Sequence, residues 1–359
     1  MGSKNNVWVV KLIPSGGLLT EQKKRLDDAE EIRGKFDKDE LNEYKKIYGN
    51  KEISDWCIKK GIVAIGWTLS PKDSWLSSKG DDLRSNNIDI TKYNKLRKEQ
   101  NWDRGGPSYI EKFQEIKIGD ICWIRNSKDI YYACKITGNW TYDNTKESWA
   151  MDIAQRYPCT PIKVGDATEA PSEIVKKLIT RGNTVIKIED KTVIDISNYL
   201  FENGGEKAVK KAVSEFNEGG YIAGNISIID NLTQYEYEDF VGFYLQKKGY
   251  FIMPSTRYQS TEGYEFVAIK QNEKMVVQAK YHKEKSEKLD AKEKKYENLS
   301  KTYTVYLACN NGINNIDNDN NKIKQVESSE LEKFIRENPF LIPDRVKFLV
   351  VYTRNHKQV

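Results

Sequence analysis

The chain of 359 residues has few of the side chains that build metal and redox sites, with 2 histidines and 5 cysteines. The cysteines form no CxxC pair, so neither a zinc site nor a cysteine–histidine catalytic dyad is expected. No apolar run approaches the roughly 18 residues that cross a bilayer, and no GxxxxGK[ST] motif is present. We therefore expect reduced, buried thiols, a cytoplasmic protein without a membrane partner, and chemistry that needs no ATP.

A large excess of one sign of charge is also absent. The 58 basic side chains exceed the 53 acidic ones by only +5, so a basic surface for nucleic acid must be local. Aromatic residues are plentiful instead, with 8 Trp and 21 Tyr. The length exceeds what one ordinary core needs and predicts two domains. The order of strands and helices described below makes α+β and α/β their expected classes.

The first half reads as short strands and turns around one or two helices. Strands are expected at 6–13, 62–67, 119–126, 130–140 and 184–190, and a helix is expected to end at Gly61. Residues 5–190 are assigned to this domain, and 191–232, with the helical "EKAVKKAVSEF", to a connector. Trp8, Trp56 and Trp123 are expected in the core.

From residue 233 to 359 helices and strands alternate, which favours an α/β domain with a mixed central sheet. A helix is expected over 235–248 and another in "SSELEKFIREN". Strands are expected in "GYFIM", "EFVAI", "MVVQAKY", "TYTVYLACN" and "RVKFLVVYT". The lysine-rich stretch 280–301 is interpreted as a solvated helix, or else as one that follows phosphates.

The predicted hairpin of "EFVAI" and "MVVQAKY" carries polar residues at one end. Gln278 and Lys280 are two apart on a strand and share a face, and Glu265 lies near them if the hairpin is in register. Glu238 on the preceding helix can lean over the same edge. The alternative is a surface hairpin with a polar end and no chemistry.

Such a set suits phosphodiester hydrolysis. Glu265, the Gln278 side-chain oxygen and the Ala279 carbonyl could hold Mg²⁺, with Mn²⁺ as a substitute, and Glu238 could hold a second ion or water. Lys280 could orient the attacking water and stabilise developing negative charge.

These segments resemble the Mrr-type branch of the PD-(D/E)xK restriction endonucleases. The resemblance rests on "YEYEDFVGFYLQKKGY", "EGYEF" and "VVQAK" in this order, and it implies a restriction-endonuclease-like nuclease domain over 233–359. The family usually has aspartate where this chain has Glu265. A glutamate reaches one methylene further, which either shifts the metal or weakens cleavage.

The first domain resembles the PUA-like β-barrel domains of the EVE and SRA group. The resemblance rests on "KKGIVAIGW", "FQEIKIGDICWI", "YYACKITGNWTYD" and "QRYPCTPIKV". It implies nucleic-acid binding, with a modified base flipped into an aromatic-lined pocket. A flipped base needs flat faces to stack on and a few polar groups that read its edge. The residues expected to line this pocket are Trp67, Trp75, Trp102, Asp103, Trp140 and Tyr142.

Together these features predict a modification-dependent endodeoxyribonuclease of a prokaryotic defence system. Its expected partner is double-stranded DNA with a modified base, and a homodimer is expected for cutting both strands. Two alternatives stay open. One is a nucleic-acid-binding protein with weak or lost catalysis, and the other is an RNA-directed nuclease.

Overall fold

A computed structural model gives the fold of this chain. The structure describes residues 5–12, 30, 35, 37–49, 52–66, 88–99, 107–143, 145–180, 183–219, 227–254, 264–282, 286–316 and 322–356. It divides into two compact units, Met1–Lys210 and Lys211–Val359. The boundary falls within the segment that the sequence assigns to the connector.

The first unit is built on a curled half-barrel sheet of seven strands. Its strands are β1 (Val7–Val10), β2 (Ile62–Ile65), β3 (Ile121–Arg125), β4 (Tyr131–Ile136), β5 (Thr141–Tyr142), β6 (Gln155–Gly165) and β7 (Val185–Ile188). Their order is β2-β6-β4-β3-β1-β7, with β5 paired to β6. Strand β1 runs parallel to β3 and antiparallel to β7, so the first strand lies inside the sheet.

Several helices pack against strands of this sheet. The described helices are α1 (Lys38–Gly49), α2 (Ile53–Lys60), α3 (Ile90–Glu99), α4 (Pro107–Gln114), α5 (Lys146–Met151), α6 (Ser172–Ile179), α7 (Lys191–Glu202) and α8 (Glu206–Glu218), the last crossing the unit boundary. Helix α2 ends at Gly61 with φ 66°, a left-handed conformation that glycine adopts without strain. The end of α2 at this glycine and the glycine's left-handed conformation both agree with the helix end predicted from the sequence.

One buried carboxylate joins β1 to the segment before β3. Asp120 accepts hydrogen bonds from the Asn6 backbone N (2.9 Å), from Trp8 Nε1 (2.9 Å) and from the Lys117 backbone N (3.1 Å). Trp8 and Trp123 are fully buried and Trp56 is 8% exposed, so the predicted core role of all three is confirmed.

The second unit contains a mixed five-stranded sheet of order β14-β12-β10-β9-β8. Its strands are β8 (Phe251–Pro254), β9 (Phe266–Lys270), β10 (Glu273–Lys280), β12 (Thr304–Cys309) and β14 (Ile323–Val326). Strands β8, β9 and β10 are antiparallel neighbours, while β10, β12 and β14 run parallel. The mixed sheet and the β9–β10 hairpin are therefore confirmed.

The remaining elements of this unit are short strands and helices. They are α9 (Gln234–Lys247), β11 (Leu289–Asp290), α10 (Lys294–Ser300), β13 (Ile313–Asn314), α11 (Ser328–Glu337) and α12 (Asp344–His356), together with the 3₁₀ turns Ile229–Asn231 and Pro339–Leu341. Within the described residues no helix is both long and apolar enough to pass through a bilayer.

Two sequence predictions are wrong in this unit. "RVKFLVVYT" forms part of helix α12, not a strand. Its β-branched residues favour a strand locally, but Asp344 in the first turn favours a helix start. Val346, Val350 and Val351 are then buried at helical spacing, so packing overrides propensity.

The stretch 280–301 is not one solvated helix. Lys280 ends β10, Leu289–Asp290 pairs in parallel with Ile313–Asn314, and among the residues described in this stretch the helix is confined to Lys294–Ser300. The physical reason is apolar burial, since Leu289, Ala291 and Tyr296 are at most 4% exposed and share a hydrophobic core with residues of β10 and β12.

Candidate functional site

Helix α9 begins at a capping box that fixes the position of its first turn. The Thr233 side chain accepts from the Glu236 backbone N, and Glu236 Oε2 accepts from the Thr233 backbone N at 2.8 Å. Glu236 is 2% exposed and also pairs with Arg345. The Glu236 carboxylate is therefore occupied by structural contacts. Glu238, two residues later on the same helix, is half-buried.

The β9–β10 register places the next acid. Val277 lies opposite Phe266, and the Glu265 backbone N donates to the Val277 carbonyl at 2.7 Å. Glu265 therefore lies beside Gln278, whose Nε2 donates to Glu265 Oε1 at 2.7 Å. Lys280 Nζ lies 3.3 Å from the same oxygen. The three residues that the sequence proposes on this hairpin come together.

Glu238 is joined to this group through a residue that sequence reasoning missed. Gln234 Nε2 donates to Glu238 Oε1 and, at 2.8 Å, to the Ala279 carbonyl. Gln234 Oε1 accepts from the Tyr281 backbone N at 2.6 Å. Its amide thus bridges α9 and β10. The available signal was its position four residues before Glu238, which places both side chains on one helix face.

The electrostatics of this group are those of two acids held near one another. Burial raises the pKa of Glu238, and the negative charge of Glu265 raises it further. The hydrogen bond from Gln234 and the positive charge of Lys280 act in the opposite direction. A cation placed between the two carboxylates would relieve this repulsion.

The donor set fits Mg²⁺ better than it fits a zinc-type site. Among the described residues there is no group of three His, Cys, Asp or Glu side chains that could hold a metal. Mg²⁺ usually needs only one or two carboxylates, with water and phosphate oxygens as its other ligands. Glu265 and Glu238 meet that requirement, and the Ala279 carbonyl, which accepts from Gln234 at 2.8 Å and from Gln278 at 3.5 Å, could join them if the weaker bond gives way.

Gln278 differs from its expected orientation. Its amide group directs Nε2, not Oε1, toward Glu265, and the side chain is only 2% exposed. Rotation of the terminal amide would exchange the two atoms, so the predicted role as an oxygen ligand requires that rotation. In the arrangement described, Gln278 and Lys280 both act as donors to Glu265.

The expected base pocket is covered by the structure only in part. Trp67, Trp75, Trp102 and Asp103 lie outside the described residues. Trp140 and Tyr142 are 9% and 4% exposed, and both pack on Tyr93 with ring centroids 5.8 and 5.3 Å away. Tyr93, on α3, is a residue that sequence reasoning missed.

Buried polar groups accompany these rings. Gln155 Nε2 donates to Tyr93 Oη (3.0 Å) and to the Gly66 carbonyl (3.2 Å). Among the described residues, Gln155 Oε1, Trp140 Nε1 and Arg97 Nε are buried atoms without a hydrogen-bond partner. An unsatisfied buried group costs about 1–3 kcal/mol, so three in one region would lower stability appreciably. We call Tyr93, Arg97, Trp140, Tyr142 and Gln155 the aromatic cluster.

One of the comparisons with known proteins concerns the first unit. Residues 43–155 match a family model described as a domain of unknown function (DUF8426), and this range contains every member of the aromatic cluster. No curated protein and no solved structure matches the chain. The matched range covers less than a third of the 359 residues, so it describes part of the first unit.

Proposed function

We propose that this chain is a modification-dependent DNA endonuclease of a prokaryotic defence system, acting in the cytoplasm. The second unit cuts the phosphodiester backbone, and the first unit reads a modified base. The observation that carries the proposal is the group of Glu238, Glu265, Gln278 and Lys280. Their side chains come from a helix and a hairpin and meet at one end of β10.

The roles of the residues follow from their positions. Glu265 and Glu238 supply carboxylates for Mg²⁺. The Gln234 amide links the Ala279 carbonyl to Glu238, because its Nε2 donates to both. Mg²⁺, when bound, would polarise a phosphate oxygen and lower the pKa of water. Lys280 is 39% exposed in its side chain, so it can reach both a phosphate and a water. It would hold that water in line and stabilise negative charge on the phosphate.

Support for the reading domain comes from the curled half-barrel sheet and the aromatic cluster. Rings that stack on a flipped base must sit beside polar atoms that read its edge. Trp140, Tyr142 and Tyr93 offer rings, and unpartnered polar atoms lie among them. The PUA-like identity of this unit and the restriction-endonuclease identity of the second unit are parts of the same proposal.

A specific observation favours a second candidate, a nucleic-acid-binding protein with weak catalysis. The oxygens that a metal would use already accept bonds from internal donors, since Gln278 and Lys280 donate to Glu265 and Gln234 donates to Ala279. Binding of Mg²⁺ must compete with these contacts. The glutamate at 265 reaches one methylene further than an aspartate, which also disfavours strong catalysis.

Cleavage assays separate the candidates. Purified protein is mixed with methylated, hydroxymethylated, glucosylated and unmodified DNA, and with RNA, in Mg²⁺. We expect double-strand cuts in modified DNA alone, at a rate that rises with protein concentration if two copies are needed. Equal cutting of every DNA, or none, would overturn the leading proposal. Selective binding without cutting would favour the second candidate, and cutting confined to RNA would favour an RNA-directed nuclease.

A further inference from the structure

Two side-chain amides continue the hydrogen-bonding pattern of β10 beyond its last residue, Lys280. On one edge of the strand, the Gln234 amide bonds the Ala279 carbonyl at 2.8 Å and the Tyr281 backbone N at 2.6 Å. In an extended chain, successive residues direct their backbone groups to opposite edges. Ala279 and Tyr281 therefore face the edge of Gln234, and Lys280 faces the other edge.

The opposite edge is completed by Asn310, the residue that follows β12. Its backbone N donates to the Lys280 carbonyl at 3.4 Å. Its side-chain Oδ1 accepts from the His282 backbone N at 2.8 Å, and its Nδ2 donates to the His282 carbonyl at 2.9 Å. Asn311 Nδ2 donates to the same carbonyl at 3.2 Å. The chain thus stays extended as far as His282, and the side chains of Lys280 and His282 share a face.

The His282 ring is held by a carboxylate from a later segment. Its Nδ1 lies 2.9 Å from Glu287 Oε2. An ionised carboxylate can only accept a hydrogen bond, so Nδ1 carries the hydrogen in this contact. Among the described residues Nε2 is buried without a hydrogen-bond partner, although 27% of the side chain is exposed. The backbone N, the carbonyl and Nδ1 of His282 are therefore bound, and Nε2 is the polar atom left for a substrate.

We propose that His282 is the general acid of the nuclease site, and that it gives a proton from Nε2 to the sugar oxygen that leaves phosphorus. Lys280 and His282 are two residues apart in an extended chain, so their Cα atoms are about 6.6 Å apart. This spacing leaves room for one phosphate group between the two side chains. The attacking and leaving oxygens of a phosphoryl transfer lie roughly in line on opposite sides of phosphorus. Lys280 then serves the attacking oxygen, and His282 serves the leaving one.

The atoms of this step balance without a further reactant. The oxygen of the water held by Lys280 bonds to phosphorus, and that water loses a proton to solvent. The bond from phosphorus to the sugar oxygen breaks, and its electron pair stays on the sugar oxygen. His282 Nε2 protonates that oxygen and later regains a proton from solvent. Imidazole commonly changes charge between about pH 5 and 8, so such a cycle runs near neutral pH.

The assignment rests on the nuclease half of the proposed function and adds a role that none of its other residues fills. Glu238 and Glu265 serve the ion and Lys280 serves the water, which leaves the departing oxygen without a proton donor. Glu287 is a positioning residue, since it orients the ring and does not touch the substrate. Nε2 is covered, so a substrate must displace the atoms that cover it. A buried nitrogen without a partner is unfavourable, and contact with the leaving oxygen removes that cost.

The test compares an oxygen with a sulfur leaving group. The bond that the full-length wild type cuts in modified DNA is first mapped in Mn²⁺, and a second duplex then carries sulfur in place of the leaving oxygen at that bond. A thiolate is a much weaker base than an alkoxide and leaves without a proton. We expect His282→Ala to cut the oxygen duplex at least about 10²-fold more slowly than the wild type, and the sulfur duplex within about threefold of it.

Three further variants separate the possible causes of a loss. His356→Ala is the matched control, because His356 is the other histidine of the chain and is exposed at the end of α12. It should cut both duplexes at the wild-type rate. Lys280→Ala should lose cleavage of both duplexes, because water must attack whichever group leaves. Glu287→Ala should slow the oxygen duplex about tenfold and spare the sulfur duplex.

The ring itself gives a measurement that does not depend on activity. The chain has 2 histidines, so the imidazole nitrogen NMR signals are assigned with His356→Ala. At about pH 8.5, above the ordinary histidine pKa of about 6.5, we expect the His282 proton on Nδ1 and a bare Nε2. A proton found on Nε2 instead overturns the assignment, because Glu287 then does not hold the ring as described.

Each kinetic outcome has a defined meaning. Wild-type cleavage of the oxygen duplex by His282→Ala overturns the assignment and leaves the nuclease proposal intact. An equal loss on both duplexes shows that His282 is structural and also overturns it. If His282→Ala melts lower than the wild type, His282→Phe, which keeps a ring without nitrogen, takes its place in the comparison. Absence of any cleavage by the wild type overturns the assignment together with the nuclease proposal.

Discussion

Gln234 Nε2 lies 2.8 Å from the carbonyl oxygen of Ala279, and this hydrogen bond connects the start of α9 with the end of β10. The same nitrogen donates to Glu238. One amide therefore sets the separation between a candidate ligand on the helix and a candidate ligand on the strand. Residues of this kind orient metal ligands without touching the metal.

Replacing Gln234 should weaken metal binding. Gln234→Met has similar length but neither donor nor acceptor, so Glu238 and the Ala279 carbonyl lose their common partner. We expect Mn²⁺ affinity, measured by calorimetry, to fall about 10–100-fold. Gln246→Met is the control, because Gln246 is an exposed glutamine on the same helix. Equal Mn²⁺ affinity in the two variants would contradict a role for Gln234.

Lys280 should be essential for cleavage and not for folding. Its Nζ lies 3.3 Å from Glu265 and its side chain is 39% exposed, so truncation should cost little stability. We expect Lys280→Ala to lower the cleavage rate at least about 10²-fold, as loss of a charge-stabilising donor does. Lys274→Ala, on the same strand and exposed, should cut at the wild-type rate. Cleavage by Lys280→Ala at the wild-type rate would remove this residue from the site.

Glu238→Gln should stabilise the protein while it abolishes activity. The pKa of Glu238 is raised above its ordinary value of 4.5, chiefly by burial. The unfolded chain then releases this proton at lower pH than the folded chain, so the wild-type free energy of unfolding falls as pH rises from 4.5 through the raised pKa. A glutamine has no proton to release, and its oxygen can still accept from Gln234.

The check for Glu238→Gln is a pair of melting curves without divalent cations. The melting temperatures of variant and wild type should agree at about pH 4, and the variant should melt higher at about pH 7. Added Mg²⁺ should narrow the difference by stabilising the wild type alone. A variant that melts lower than the wild type at both pH values would show that the carboxylate is structural.

Asp120 should matter for stability alone. It accepts from Asn6, Trp8 and Lys117 and is 3% exposed, so Asp120→Ala leaves buried donors without a partner. We expect the free energy of unfolding to fall by about 3 kcal/mol, measured by urea denaturation. Asp129→Asn is the control, since the Asp129 side chain is 73% exposed and should change it by less than about 0.5 kcal/mol. A similar small change in Asp120→Ala would contradict this account.

Local patterns predicted the hairpin and its polar end well, because two-residue periodicity and a short turn determine which side chains share a face. The closeness of Glu265, Gln278 and Lys280 follows from these rules. Gln234 was not, because a glutamine at a helix start has no distinctive local pattern. Its importance arises from the packing of α9 on β10, which only the folded chain displays.

The errors have the same origin. Val346, Val350 and Val351 look like strand residues until their burial on one face of α12 is known. Leu289 and Ala291 are isolated apolar residues in a lysine-rich stretch, and their attachment to the core depends on Tyr296 and on strands distant in sequence. Likewise Tyr93 and Gln155 are 62 residues apart, so no local signal joins them.

The interior position of β1 constrains the order in which the first unit can form. Its neighbours in the sheet come from 121–123 and 185–188, so both edges of β1 are paired only after residue 188 has been synthesised. Pairings so distant in sequence close slowly. Until synthesis has passed residue 123, Val7–Val10 has no partner strand, and until it has passed residue 188 one edge of this apolar strand stays unpaired and needs shelter from other nascent chains. A chaperone that holds the amino-terminal segment should therefore increase the yield of folded protein more than one that acts after release.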